Sequence, residues 1–340
     1  FFQAEDGIRD PLWSRGLGDV YKRQKFPCLP FPPFPHTITV RMAFKDRNRL
    51  TLDYNRFPGG IFNPSLVKHT NGLWGIARCE QYNQAERNED KSLNFTSNQV
   101  VLFELDTSLQ VNKAKYDVKF EGFPDKPWRA EDYRLFVFEN QIFCTHTLWV
   151  EGYNIGMALS RVNPTEGIIT LLNPIVIKNL EIQGIEKNWV MIPGEKTLHC
   201  LYSFYPYFTL AKLDNLNSAQ FKLLSRTRLE PPTNGLADQL ISLSTVPQRI
   251  GDAWYLLVHQ KDRDHVYHDY VVQLNNSTLM PEIISDSPVI SGGDCEGFWR
   301  GYLTVYSLLV IDKQAIVSFG EGDRYSGIMT TLVSELLESL

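Results

Sequence analysis

The sequence predicts an all-β fold, a five-bladed β-propeller with a short C-terminal helix, and three observations point there. From Arg56 onward, short β-branched and aromatic runs alternate with Gly, Asn, Asp and Pro turns, the signal for a sandwich, barrel or propeller. Helical periodicity is missing until the chain reaches Ser326. The runs also recur in similar units, as expected when each unit buries its faces on its neighbours. A pair of β-sandwiches is the competing arrangement.

Residues 1–37 are set apart from the rest. Phe1–Gln24 shows no sustained period of 2 or 3.6 and resembles the translated read-through of a sequencing-library adapter. The Pro-rich stretch Lys25–His36 suits neither a helix nor a central strand. This lead-in is expected to be non-native and disordered, and residues 38–340 are expected to form the propeller domain.

The units are visible as equivalent second strands. They contain Trp74, Ile142, Leu198, Trp254 and Leu308, separated by 68, 56, 56 and 54 residues. Third strands follow at Val101–Asp106, Gly156–Arg161, Phe208–Asp214 and Tyr270–Asn275, which are closely alike. Units of this size fit four-stranded blades. Within Ser326–Leu340, Ile328, Leu332, Leu336 and Leu337 fall at helical spacing, so a C-terminal helix is expected outside the last blade.

Composition narrows the function classes. The formal charge of -5, from 34 Lys+Arg against 39 Asp+Glu, argues against a general nucleic-acid surface, which needs clustered cations. No apolar run approaches the roughly 18 residues that cross a bilayer, so no membrane span is expected. Five scattered cysteines (Cys28, Cys79, Cys144, Cys200, Cys295), without a CxxC or nearby His set, suggest neither a disulfide framework nor a metal site. Free thiols favour a reducing, cytoplasmic setting.

In a propeller the first strand of each blade lines the central channel, so polar residues at those positions converge although far apart in sequence. The candidates are Asn63 in the first unit, Glu131, Asp132 and Arg134 in the second, and Glu186–Trp189 in the third. The fourth offers His265, Tyr267 and His268 from a later loop, and the fifth offers Asp294–Gly297.

Taken together, these blocks resemble the five-bladed mannoside phosphorylases and hydrolases of glycoside hydrolase family 130 and the related propeller-fold β-mannosyltransferases. The resemblance runs from Phe62 to Arg324 through the Asn63-Pro64 strand, Glu131-Asp132-Tyr133-Arg134, Lys187-Asn188-Trp189, the His/Tyr loop before Val271-Val272, and Ser318–Arg324. Two departures stand out. Glu-Asp-Tyr-Arg replaces the usual Glu-Asp-Pro-Arg, and the Asp294–Gly301 block is closer to the transferase-like relatives.

The resemblance implies transfer of a glycosyl unit, most simply mannosyl, by inverting phosphorolysis or hydrolysis of an oligosaccharide, with no cofactor beyond phosphate or a sugar phosphate as co-substrate. Glycosidic cleavage passes through an oxocarbenium-like state and needs an acid at the bridging oxygen. The resemblance places that proton donor at Asp132, acting through a sugar hydroxyl. If phosphate is the second reactant, Arg134, Lys187, Asn188, His265, Tyr267 and His268 would form its clamp. Asn63, Glu131, Glu296 and Asp323 would contact the sugar, and Trp189, Trp128 and Tyr153 would offer flat faces to it. Two alternatives stay open: a glycosyltransferase using an activated sugar donor, and a glycan-binding propeller that transfers nothing.

Overall fold

A computed structural model describes residues 28–29, 43–44, 46–95, 99–153, 155–180, 186–230 and 240–340. Almost all of the lead-in, including Phe1–Gln24, lies outside the described residues, as do 38–42 at the expected domain start. The rest forms five sheets, antiparallel through their blade strands and arranged as five blades, so the propeller expectation holds.

Blade 1 runs Ile61–His69, Gly72–Cys79, Gln99–Leu105 and Val111–Lys115 from the channel outward. Blade 2 follows with Trp128–Phe138, Gln141–Val150, Gly156–Asn163 and Ile168–Pro174, and blade 3 with Val190–Pro193, Leu198–Ser203, Tyr207–Asn215 and Gln220–Leu229. In blade 4 the innermost position is shared by two short strands, Ile241–Leu243 and Gln248–Ile250, ahead of Ala253–Lys261 and Tyr267–Asn275. Blade 5 contains Leu303–Ile311, Gln314–Glu321 and Tyr325–Leu332, and its outermost strand is the early segment Arg47–Arg49. The ring is therefore closed by chain from its own beginning.

The middle strands are apolar on both sides because each sheet is covered by a blade on either face. In Ala253–Lys261, Leu256 and Val258 pack with Phe208 and Leu229 of blade 3. The alternate residues Tyr255 and Leu257 pack with Val317 and Phe319 of blade 5. Period-2 alternation thus sends successive side chains into opposite inter-blade cores.

Outer edges are guarded in a regular way. The segment leading into blade 2, Lys119–Glu121, pairs in parallel with that blade's outer strand Ile168–Pro174. Val176–Lys178, leading into blade 3, does the same with Gln220–Leu229. Each entering segment covers backbone groups that would otherwise be an open edge.

Two expectations about the last unit need correction. Leu308 lies on the innermost strand of blade 5, and the second strand is Gln314–Glu321. The inner strand is as apolar as a second strand, which hid the offset: Leu308 and Leu309 are buried on opposite faces in different cores. The C-terminal helix is only Val333–Leu337. Ile328 and Leu332 belong to the strand Tyr325–Leu332, whose pairing with Gln314–Glu321 overrides the helical spacing of its apolar residues. Leu336 alone anchors the helix as a fully buried residue, beside Phe44 and Met329.

A candidate active site in the propeller channel

Three inner strands are broken at one matching position. Pairing skips between Phe62 and Ser65 in blade 1 and between Glu131 and Arg134 in blade 2, and a smaller shift separates Val305 from Ser307 in blade 5. Asn63, Asp132 and Asn188, the last just ahead of the blade 3 inner strand, have left-handed backbones with φ of 56, 57 and 63°. Asn and Asp tolerate that region because their short polar side chains bond locally. Bulges re-aim side chains, and these turn polar groups out of the sheets toward one another.

The convergence is direct. Asp132 Oδ1 accepts hydrogen bonds from the Tyr306 hydroxyl at 2.9 Å and from Asn63 Nδ2 at 3.2 Å, joining blades 1, 2 and 5. Thr304 Oγ1 donates to Asn63 Oδ1 at 3.2 Å and fixes that amide. A side chain at Gly320 would put its Cβ 2.2 Å from Asn63 Oδ1, so only glycine leaves room for this arrangement. Both bonds reach Oδ1, which leaves Oδ2 of Asp132 for a ligand.

Arg134 is the tie beneath this carboxylate. Only 1% exposed, it donates from Nε to the Ser244 carbonyl at 2.9 Å, from Nη1 to the Asp132 carbonyl at 3.1 Å and from Nη2 to Asn188 Oδ1 at 2.9 Å. The Tyr306 ring packs over its guanidinium at 5.1 Å. Blades 2, 3, 4 and 5 meet at this one side chain.

Blade 4 adds a second polar cluster. Ser244 Oγ donates to Asp269 Oδ1 at 2.6 Å and lies 2.9 Å from His259 Nδ1. Asp269 is fully buried and its Oδ2 has no partner, so burial lifts its carboxyl to about 7 against the opposing bond from Ser244. Burial, then the nearby Arg134 charge, depress the His259 imidazole to about 3, which keeps it neutral. Tyr267 lies beside His259 with ring centroids 5.5 Å apart, within electrostatic reach of Asp132 and Asp323. Lys261 Nζ donates to the Tyr302 hydroxyl at 2.9 Å.

Asp323, also left-handed at φ 53°, is lifted to about 6 by burial, with Arg78 pulling the other way and the Asp132 charge adding to the rise. Arg78 belongs to a buried network in which Arg129 and Arg87 also converge on Glu80, and Arg78 and Arg129 both reach Glu131. Glu131 is therefore a partner in this network, with both described contacts of its carboxylate going to arginines.

The expected site is thus assembled in part. Asn63, Glu131, Asp132, Arg134, Asn188, Tyr267 and Asp323 gather at one region of the channel. Lys187 is solvent-exposed with its neighbour Asn188 taken up by Arg134. His265 sits exposed in the hairpin turn after Asp262. His268 faces the opposite side of its strand from Tyr267 and Asp269 and pairs with Asp262 at 3.0 Å. Glu296 points outward to Arg49 at 2.7 Å.

The expected aromatic faces lie elsewhere too. Trp189 is 1% exposed and packed in the core beside Tyr202, its indole nitrogen donating to Glu186 at 3.2 Å. Trp128 stacks on Phe123 with centroids 4.2 Å apart, and Tyr153 is exposed under Lys126. Sequence reading missed Arg78, Ser244, His259, Lys261, Asp269 and Tyr306. Strand alternation was the usable signal for His259 and Lys261, which continue the Tyr255, Leu257 face. Among the described residues, no group of three or more His, Cys, Asp or Glu is placed to hold a metal.

No family model and no curated protein matches this sequence. Solved structures do match in fold. β-1,2-Mannobiose phosphorylase from Listeria innocua, bound to β-1,2-mannobiose, superimposes with a TM-score of 0.59 at 11% identity, covering 89% of this chain and 95% of its own. A glycosyl hydrolase from Bacteroides ovatus gives 0.61 at 11% identity over 81% and 85%. A structure from the glycoside hydrolase family 130 of mannoside phosphorylases, which contains glycoside hydrolases that target β-1,2 mannosidic linkages in Candida mannan, gives 0.64 at 12% identity over 87% and 96%.

Proposed function

We propose that this chain, which has the fold of those glycoside-processing propellers, is itself an enzyme that cleaves a glycosidic bond, with a mannoside as substrate. The observation that carries the reading is the convergence on Asp132: a carboxylate on a left-handed bulge, held through one oxygen by Tyr306 and Asn63 from two other blades, with its second oxygen left for a ligand. A merely structural carboxylate would not require three strained or bulged positions around it.

The chemistry follows from two carboxyl groups with different surroundings. Asp132 delivers a proton through a sugar hydroxyl to the bridging oxygen, which departs as an alcohol. Asp323, lifted to about 6, is ionised at neutral pH but basic enough to accept the proton of an attacking water. The water oxygen bonds the anomeric carbon as the bridging C–O bond breaks, so no covalent enzyme intermediate is needed. Arg134 positions Asp132 and Asn188, and Tyr267 packs against His259 within electrostatic reach of Asp132.

Phosphorolysis, with phosphate replacing water, is the second reading, supported by the phosphorylase among the fold neighbours. Dispersal of Lys187, His265 and His268, and the inward bonding of Arg134, favour water. The deciding experiment incubates the purified chain with short mannosides with and without inorganic phosphate. Free mannose in both reactions supports hydrolysis, a sugar 1-phosphate formed only with phosphate supports phosphorolysis, and binding without either product overturns the enzymatic reading.

A further inference from the structure

A line of aromatic rings leads from the candidate site to the protein surface. His259 and Tyr267 are 5.5 Å apart between centroids, Tyr267 and Tyr302 meet edge-on at 5.3 Å, and Trp299 follows Tyr302 at 6.2 Å. Lys261 lies over both tyrosine rings, 5.4 and 4.6 Å from their centroids. At the outer end Phe298 and Trp299 are 36% and 37% exposed, on adjacent positions of one loop.

That loop is fastened beside the proposed catalytic groups. The amides of Phe298 and Trp299 donate to the Gly322 carbonyl at 2.8 and 3.3 Å, and the Gly322 amide donates to the Tyr302 carbonyl at 2.7 Å. Gly322 directly precedes Asp323. A Cβ on Gly297 would stand 2.7 Å from the Gly322 carbonyl oxygen, so the two backbones touch with no side chain between them. Isolated exposed aromatics are ordinary on a protein surface. These two are locked by backbone bonds to the residue before Asp323; Trp299 is continuous with the rings lining the site, and Phe298 lies under the Arg324 guanidinium at 5.2 Å.

We infer that Trp299, with Phe298 and Tyr302, is a platform for the sugar units of an oligosaccharide lying beyond the bond that is cleaved. A pyranose presents an apolar C–H face and a polar rim of hydroxyls. The line matches both, with ring faces flanked by the Tyr267 and Tyr302 hydroxyls and the Lys261 ammonium, which keeps two N–H donors after bonding Tyr302. The chain therefore selects substrates of three or more units over disaccharides. This inference rests on the glycoside-cleaving reading above.

The test measures binding in the Asp132→Asn background, so that it does not depend on turnover. β-1,2-Linked mannooligosaccharides of two to five units are titrated calorimetrically against that protein with Trp299 intact, Trp299→Ala or Trp299→Phe. Affinity should rise with chain length when Trp299 is present. Trp299→Ala should weaken the four- and five-unit chains by about tenfold and the disaccharide hardly at all, and Trp299→Phe should restore most of the loss. An equal loss at every length, no effect of Trp299→Ala, length-independent affinity or no binding of any chain overturns the platform. Kinetics of the otherwise native protein on the same series report separately on the cleavage reading: absence of products overturns cleavage, whereas the length dependence of binding judges the platform.

Discussion

The Tyr306 hydroxyl donates to Asp132 Oδ1 at 2.9 Å, although the two residues sit on inner strands of different blades, 174 positions apart in the chain. The bond makes the placement of the proposed proton donor a property of the whole ring. Tyr306→Phe deletes one of two donors without opening a cavity. Loss of one hydrogen bond that orients this acid is worth about 0.5–1.5 kcal/mol, so kcat/KM should fall roughly two- to tenfold with the thermal midpoint little changed. Steady-state kinetics and a thermal melt check both halves.

Asp132→Asn keeps the shape and the Oδ1 acceptor but cannot release a proton. Turnover should fall by about 10²–10⁴-fold, the usual worth of a positioned acid, while calorimetry still registers glycan binding. Unimpaired turnover would remove Asp132 from the mechanism.

Stability should respond to pH through Asp269. Its folded carboxyl titrates at about 7, far above an unfolded aspartate, so between about pH 4 and 7 the folded state holds a proton that the unfolded chain has lost. Stability from this group is complete below that window and is lost as pH rises through 7. His146 and His259, depressed to about 4 and 3 by burial, act oppositely and withdraw stability as pH falls below about 6.5. Asp269→Asn removes this carboxyl while keeping both histidines and an acceptor for Ser244. Its thermal midpoint should therefore fall less than that of the native chain between pH 6 and 8, in matched calorimetric scans.

Glu80 neutralises a buried crowd of arginines, contacting Arg78, Arg87 and Arg129. Glu80→Ala takes the carboxylate from Arg87 and leaves Arg78 and Arg129 to share Glu131, and should cost about 3–5 kcal/mol in denaturant unfolding, whereas surface Lys178→Ala, which breaks an exposed pair with Asp214, should cost under about 1 kcal/mol. Equal costs would show that the network contributes no more than a surface pair.

Much of the fold was legible because blade strands are written as repeated apolar runs bounded by turn residues. Trp74, Ile142, Leu198 and Trp254 each fall on a second strand as expected. The frame slipped at Leu308 because the last blade takes its outer strand from Arg47–Arg49, a pairing across nearly the full chain that no local pattern announces. In the site, Asp132, Asn63 and Arg134 stood out as polar groups on inner strands. Arg134 had a different use from the one expected, since burial turned its donors toward Ser244, Asp132 and Asn188. His268 was named as a candidate and His259 was not, yet alternation puts His268 and Tyr267 on opposite faces and places His259, on the facing strand, beside Tyr267.

The strand Arg47–Arg49 sits on Gly327–Met329, and this pairing has a consequence during synthesis. At about 5–20 residues per second, the segment waits tens of seconds on the ribosome for its partner to emerge. Four blades can stack in that interval, but the nascent ring stays open and its last sheet edge unpaired until Gly327–Met329 has emerged. Sealing is then a single late event with very high sequence separation, the kind of contact that forms slowly.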